Sequence, residues 1–303
     1  MKRTILYTLI AFSLSMSAQT VTISKPQKVE IPSNKRAFYP TLSRDGSKLL
    51  FTGENYEGVS QYNLSDRSIK VISEKEGAGF DVTISEDGVE VYYKEQHKRE
   101  GKIYRSLMKF DQATGYNTEV VAPQRSLKRP QVESAGQLQV VAEGNLIERG
   151  SSRSLGNKPY INSSEGAIDI YKNGKKSTIR PLATEASTYI WCSLSPDMKR
   201  VLFVVPSKGC YVSDLSGENL KFIGDIEAPV WFNDNYIVGM ITEDDGYFFT
   251  SSRIVLNSIE GGVQYQLSGT VPMAMHPSVA TSIGRVAFNT LSGDIYTVDV
   301  TIK

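Results

Sequence analysis

Histidine, cysteine and tryptophan are the scarce residues of this chain, two of each among 303. With only His97 and His276, a metal centre assembled from several imidazoles is excluded. No Gly-x-Ser-x-Gly nucleophile elbow occurs, and no stretch is left over to build a hydrolase domain around one. Past the first twenty residues no apolar run approaches the ~20 residues that a membrane-spanning helix requires. A dominant charge is missing too. Lys and Arg number 34 against 33 Asp and Glu, so nothing in the global electrostatics supports nucleic-acid binding. Helical apolar periodicity is nearly absent, whereas 16 Tyr and 11 Phe favour strands.

The chain begins with a short basic region, Lys2-Arg3, and an apolar stretch from Ile5 to Met16. Small residues at Ser15, Ser17 and Ala18 precede polar Gln19-Thr20. This layout predicts a secretory signal peptide over residues 1–18, cleaved near Ala18-Gln19, and a periplasmic or extracellular protein. No cysteine follows the apolar stretch to accept a lipid. Residues 19–303 are then read as a single domain, large enough to bury a core without disulfide or metal.

That domain is repetitive. Phe38-Tyr39-Pro40-Thr41-Leu42-Ser43-Arg44-Asp45-Gly46 runs into the apolar segment 48–51, and Phe80-Asp81-Val82-Thr83-Ile84-Ser85-Glu86-Asp87-Gly88 into 89–93, a shift of 42 residues from Ser43 to Ser85. Asp-Gly between apolar runs is a strong hairpin signal, because the turn needs positive φ and glycine adopts it freely. Weaker copies begin with Pro130-Gln131-Val132, Cys192-Ser193-Leu194-Ser195-Pro196-Asp197, Pro229-Val230-Trp231 and Pro277-Ser278-Val279. Units beginning near 37, 79, 127, 188, 227 and 274 predict six four-stranded antiparallel blades, an all-β six-bladed β-propeller. The last unit is one strand short, so the N-terminal segment 20–31 is expected to join it and close the ring. A seventh blade would have to be hidden within 143–166, which reads as a Ser-, Gly- and Asn-rich insertion of blade three.

The Pro-x-(Trp or apolar)-Ser-x-Asp-Gly pattern, followed by a basic residue and an apolar strand, resembles the TolB-like, WD-like repeat family. The resemblance spans the mature chain and implies a propeller used as an envelope protein-binding platform. TolB carries an additional N-terminal α/β domain for which this chain has no room. Propeller lyases with a manganese site depend on several histidines, so the expectation is a protein with no catalytic residues, no metal and no cofactor.

Cys192 falls on a first strand and Cys210 on a third, too far apart for a disulfide, so two free thiols are expected. Asp45, Asp87, Asp197 and Asp234 are expected to cap their own turns. Asp244-Asp245-Gly246 is also read as a turn, lacking the spaced ligands of a calcium loop. The residue before the repeated proline reads Tyr39, Asp81, Arg129, Trp191, Ala228 and His276 around the ring. With Trp231, these define a candidate binding site at one mouth of the channel, against the alternative of packing between blades. Basic residues Lys94, His97, Lys98, Arg99, Lys102, Arg105 and Lys109 surround the second connection of blade two and could meet an acidic partner or glycan. The functional expectation is an exported, monomeric interaction module for an envelope protein or peptide. A carbohydrate- or small-ligand-binding propeller is the alternative, and a lyase or hydrolase comes last.

Overall fold

Each strong repeat folds around the same hydrogen-bonded turn. In the first, the Ser43 amide donates to the Lys48 carbonyl (2.9 Å), while the Lys48 amide donates to the Ser43 hydroxyl (2.9 Å) instead of to a carbonyl. That hydroxyl donates onward to Asp45 Oδ1 at 2.6 Å, and Asp45 accepts the Ser47 amide at 3.1 Å. The same circuit recurs at Ser85-Asp87 with the Glu90 and Val89 amides, and at Ser195-Asp197 with Arg200 and Lys199. Gly46 and Gly88 take φ of 68° and 69° there, and in the third copy Met198 takes 58°. Asp234 acts across a seam instead, accepting the Asp197 amide at 2.9 Å.

The computed structural model describes residues 20–31, 36–134, 136–150, 158–182 and 188–303; the expected signal peptide, 1–18, lies outside them. Seven antiparallel sheets follow one another along the chain. Blade I spans 38–73, blade II 83–124, blade III 131–149, blade IV 160–179, blade V 190–224, blade VI 227–266 and blade VII 274–302. First strands of successive blades lie against each other at the II–III, IV–V, V–VI, VI–VII and VII–I seams, which places them innermost. Val21–Ile23 and Gln27–Lys28 both pair with Ile295–Ile302, so the N-terminal segment completes blade VII as expected. Closure of this kind leaves no free edge on that sheet's last C-terminal strand.

The count of six is corrected to seven. The unit that begins near 127 contains two blades, III and IV, each of three strands among the described residues. Both join their second and third strands through tight two-residue hairpins, Glu143-Gly144 (φ 48° and 79°) and Asn173-Gly174 (φ 53° and 69°), and neither has the Ser-x-Asp turn of blades I, II and V. The apparent insertion 143–166 holds the third strand of blade III, Asn145–Arg149, and the first of blade IV, Tyr160–Ser164; residues 151–157 lie outside the described set.

Apolar side chains fill the seams between blades, one cluster to each. The seam from blade VI to VII buries Phe232, Val238, Leu256, Val286, Phe288 and others. Among the described residues the seam from III to IV buries Val141, Tyr160 and Tyr171, with Leu146 packed against them. Polar bridges supplement it: the Tyr160 hydroxyl donates to the Arg129 carbonyl (2.9 Å), Lys128 Nζ to the Ser163 carbonyl (2.9 Å), and Lys158 pairs with Glu133.

Candidate binding site at the channel mouth

The repeated proline marks a bulge. In blade I the ladder passes from Phe38↔Thr52 to Thr41↔Leu50, skipping Tyr39-Pro40. Blade V skips Trp191-Cys192, blade VI Ala228-Pro229 and blade VII His276-Pro277 in the same way. Proline is tolerated here because a residue outside the ladder has no amide bond to lose. The first skipped residue adopts left-handed backbone whether proline follows it or, as in blade V, cysteine: φ is 52° at Tyr39, 51° at Trp191, 44° at Ala228 and 53° at His276, and Asp81, ahead of the unbroken ladder of blade II, has 60°. Left-handed backbone at non-glycine residues costs about 1–3 kcal/mol each and gathers at functional sites. A bulge also re-aims the side chain out of the strand's alternation. Arg129, in blade III, has no such backbone.

Because every strand reverses the chain, the starts of first strands and the second-to-third hairpins share one face. On that face Tyr39 packs against His276 (ring centroids 4.5 Å) and stacks on Tyr56 (4.2 Å), which meets Phe80 edge-on at 5.2 Å. Lys94 Nζ sits 5.3 Å from the Phe80 ring and donates to Asp81 Oδ2 at 2.7 Å. A continuous wall thus runs from blade VII through blade I to blade II. Trp191 stands apart with 43% of its surface exposed.

The electrostatics of the wall change along it. Burial pulls His276 down to about 4, so its imidazole is neutral near pH 7. Burial, aided by the Tyr39 hydroxyl, pushes the Tyr56 phenol up. At the other end Lys94 has only 2% of its side chain exposed, against 26% for Asp81. Its pKa is lowered by burial, opposed by the Asp81 carboxylate, and lowered further by the charges of Arg105 and Arg129. The mouth therefore has a neutral aromatic side and a cationic side.

Of the six residues singled out from sequence, Tyr39, Trp191 and His276 open first strands through the bulge, Asp81 lies just ahead of the first strand of blade II with the same left-handed backbone, and Arg129 lies just ahead of the first strand of blade III. Trp231 belongs elsewhere. It pairs with Ile237 beyond the bulge, is 7% exposed, and packs with Leu202, Val204 and Cys210 in the seam between blades V and VI. Tyr56 and Phe80 were missed by sequence reasoning. Lys94 and Arg105 were read as part of a charged connection, but the strands Glu90–Arg99 and Lys102–Asp111 pair along their full length, turning only at Glu100-Gly101. The signal for Lys94 was its place directly after the buried run Val91-Tyr92-Tyr93.

Cys192 and Cys210 are free thiols, as expected, and burial pushes Cys192 up to about 12. Asp244 accepts the Gly246 amide and Asp245 those of Tyr247 and Phe248, so that segment is a turn. Among the described residues no group of three or more His, Cys, Asp or Glu is placed to hold a metal ion, and no helix is long and apolar enough to cross a membrane.

No protein-family model and no curated protein sequence matches the chain. Solved structures do. The β-propeller domain of Cps50 (Swd1) from Myceliophteria thermophila is 11% identical with a TM-score of 0.59, over 93% of this chain and 100% of that one. A chain of the mitotic checkpoint complex is 10% identical with a TM-score of 0.57, over 98% of each. TolB from Acinetobacter baumannii is 16% identical with a TM-score of 0.54, over 81% of this chain and 57% of that one. The fold is a β-propeller. At these identities the likeness extends to the fold alone, and the propeller here spans about half of the TolB chain.

Proposed function

We propose that this propeller is a non-catalytic interaction module of the cell envelope, exported by its N-terminal segment, that receives a protein or peptide on the mouth face. The observation that carries the reading is the recurrence of left-handed backbone at Tyr39, Asp81, Trp191, Ala228 and His276, all where the chain enters a first strand on that face. Strain repeated in five blades has no structural use in closing the sheets, since blades III and IV pair without it. Two of the similar structures are consistent with such use: one comes from a checkpoint complex and one is TolB.

The test is site-specific photo-crosslinking in the native cell envelope, with the probe at Trp191 or at Lys199, which lies on the opposite face. A discrete adduct from position 191, absent from 199 and lost on Arg129→Ala with unchanged melting, supports the reading. Adducts only from 199 refute it. Exposed Trp191 and the Tyr39–Tyr56 stack also suit a sugar ring. A glycan array giving binding that Trp191→Ala abolishes would favour that second reading.

A further inference from the structure

The cationic side of the mouth has more positive charge than the chain neutralises. Lys94 uses its ammonium on Asp81, and it is the deepest cation of the group. Arg105 stands directly across the hairpin from Gln96, on the same face as Lys94 two residues away, and Arg129 enters blade III beside it; both oppose the Lys94 charge, and among the described residues neither guanidinium forms an ion pair. Of these three cations only Lys94 has a carboxylate partner among the described residues, Asp81. Nearby, Arg99 and Arg125 face the Tyr104 ring at 5.9 and 5.6 Å, and they too have no ion pair among the described residues. A guanidinium at a partly desolvated rim binds a carboxylate through two parallel hydrogen bonds, more strongly than a solvated ammonium does.

Phe80 links this cationic corner to the aromatic wall, touching Lys94 on one side and Tyr56 on the other, while 44% of its own surface stays exposed. A ligand seated here meets guanidinium groups on one side and an uncharged aromatic surface on the other, because His276 is neutral above about pH 4. Asp81 within the corner, and Glu95 and Glu100 on the same hairpin, disfavour a densely charged polyphosphate.

Resting on the mouth-face reading above, we infer that the corner formed by Arg105, Arg129 and Phe80 binds an acidic peptide segment. One of its carboxylates pairs with the guanidinium groups, and an adjacent aromatic or aliphatic side chain lies on Phe80 and Tyr56. Lys94 acts as a positioning residue that holds Asp81 out of the ligand's way.

The experiment is fluorescence anisotropy with three labelled octapeptides. One carries two glutamates flanking a phenylalanine, one has glutamines in their place, and one has lysines. The glutamate peptide should bind at least tenfold more tightly than the glutamine peptide, about 1.4 kcal/mol, and more weakly as salt rises. Arg105→Gln and Arg129→Gln should each weaken it about tenfold, while Lys199→Gln leaves it unchanged; circular dichroism and melting establish that each variant is folded. Equal affinity for all three peptides, binding to none, or indifference to both arginine variants would overturn the inference. So would tighter binding of a single-stranded oligonucleotide. If the peptides fail while crosslinking at Trp191 persists, the anion corner is wrong and the mouth face stands. Loss of crosslinking with peptide binding retained would leave the anion corner standing and remove Trp191 from the contact surface of the mouth.

Discussion

Replacing Ser85 by alanine removes one atom with two jobs. Its hydroxyl donates to Asp87 at 2.6 Å and accepts the Glu90 amide at 3.0 Å, with Ser85 fully buried and Glu90 only 4% exposed. A hydrogen bond to a charged group contributes about 1.5–3 kcal/mol, and a buried amide left without a partner costs about 1–3 kcal/mol. The two overlap, since Asp87 keeps the Val89 amide, so the expected loss is about 2–4 kcal/mol, a large share of the ~5–15 kcal/mol typical of a domain. The chain contains its own replicates. Ser43→Ala and Ser195→Ala remove the same two bonds at positions 1% and 2% exposed and should cost similar amounts. It also contains its own control. Ser216 donates to Asp214 at the same 2.6 Å but is exposed, so Ser216→Ala should cost under ~0.5 kcal/mol. Urea unfolding followed by circular dichroism measures all four. Losses below ~0.5 kcal/mol at all three buried sites, or additivity of Ser85→Ala with Asp87→Ala, would refute the circuit as a source of stability.

Four further outcomes follow from the same structure. Because burial holds His276 at about 4, below its usual 6.5, the unfolded chain binds the extra proton between those values. Stability from this group is complete above pH 6.5 and falls as pH drops to 4, and His276→Asn should flatten that limb of a melting-against-pH curve. Met198, at φ 58° where its sibling turns have Gly46 and Gly88, should yield about 1 kcal/mol of stabilisation on Met198→Gly in urea unfolding. Deleting residues 20–28 strips the closing strands from Ile295–Ile302 and should lower the melting temperature and cause aggregation by light scattering, reversed by the segment added as a peptide. Hydrogen exchange should be fastest, among sheet amides, in Leu138–Ala142 and Ala167–Lys172, which flank the seam with the fewest buried residues.

How far the sequence disclosed this fold depended on turn chemistry. Wherever a Ser-x-Asp turn was present, as at Ser43, Ser85 and Ser195, the flanking strands were legible nearly to the residue. The N-terminal closure was legible as well, because blade VII ran out of chain. Blade IV was not, since Tyr160–Ser164 turns through Glu165-Gly166 with no Ser-Asp circuit. Asn173-Gly174 was an available hairpin signal inside the unit that began near 127. That unit's 61-residue length to the next, near 188, was a second sign of two blades. At the mouth, the pre-proline positions could be read because proline announces a break in the ladder. Tyr56 could not, as it reaches the site from the 3-10 turn Glu54–Tyr56, which follows no repeat; Phe80 stands in register with Phe38, but it lies ahead of its strand and is 44% exposed where Phe38 is buried, a difference the repeat does not announce.

The division of the mouth into two halves has one structural origin. Blades I, II, V, VI and VII open through the left-handed step and throw Tyr39, Asp81, Trp191, Ala228 and His276 onto the face. Blades III and IV do not, and beside them the cationic corner forms from Lys94 and Arg105 on the long hairpin of blade II, outside the repeated positions, and from Arg129, which holds the repeated pre-proline position ahead of blade III without the left-handed step. A perfectly repeated ring would present the same residue type seven times and could recognise little beyond symmetry. Recognition of one partner therefore has to be written in the departures from the repeat. Among the described residues those departures coincide with the two three-stranded blades and the smallest buried cluster, where Tyr160 anchors the Arg129 backbone through its hydroxyl at 2.9 Å. Tyr160→Phe should accordingly loosen Arg129, and weaken acidic-peptide binding, more than it lowers stability.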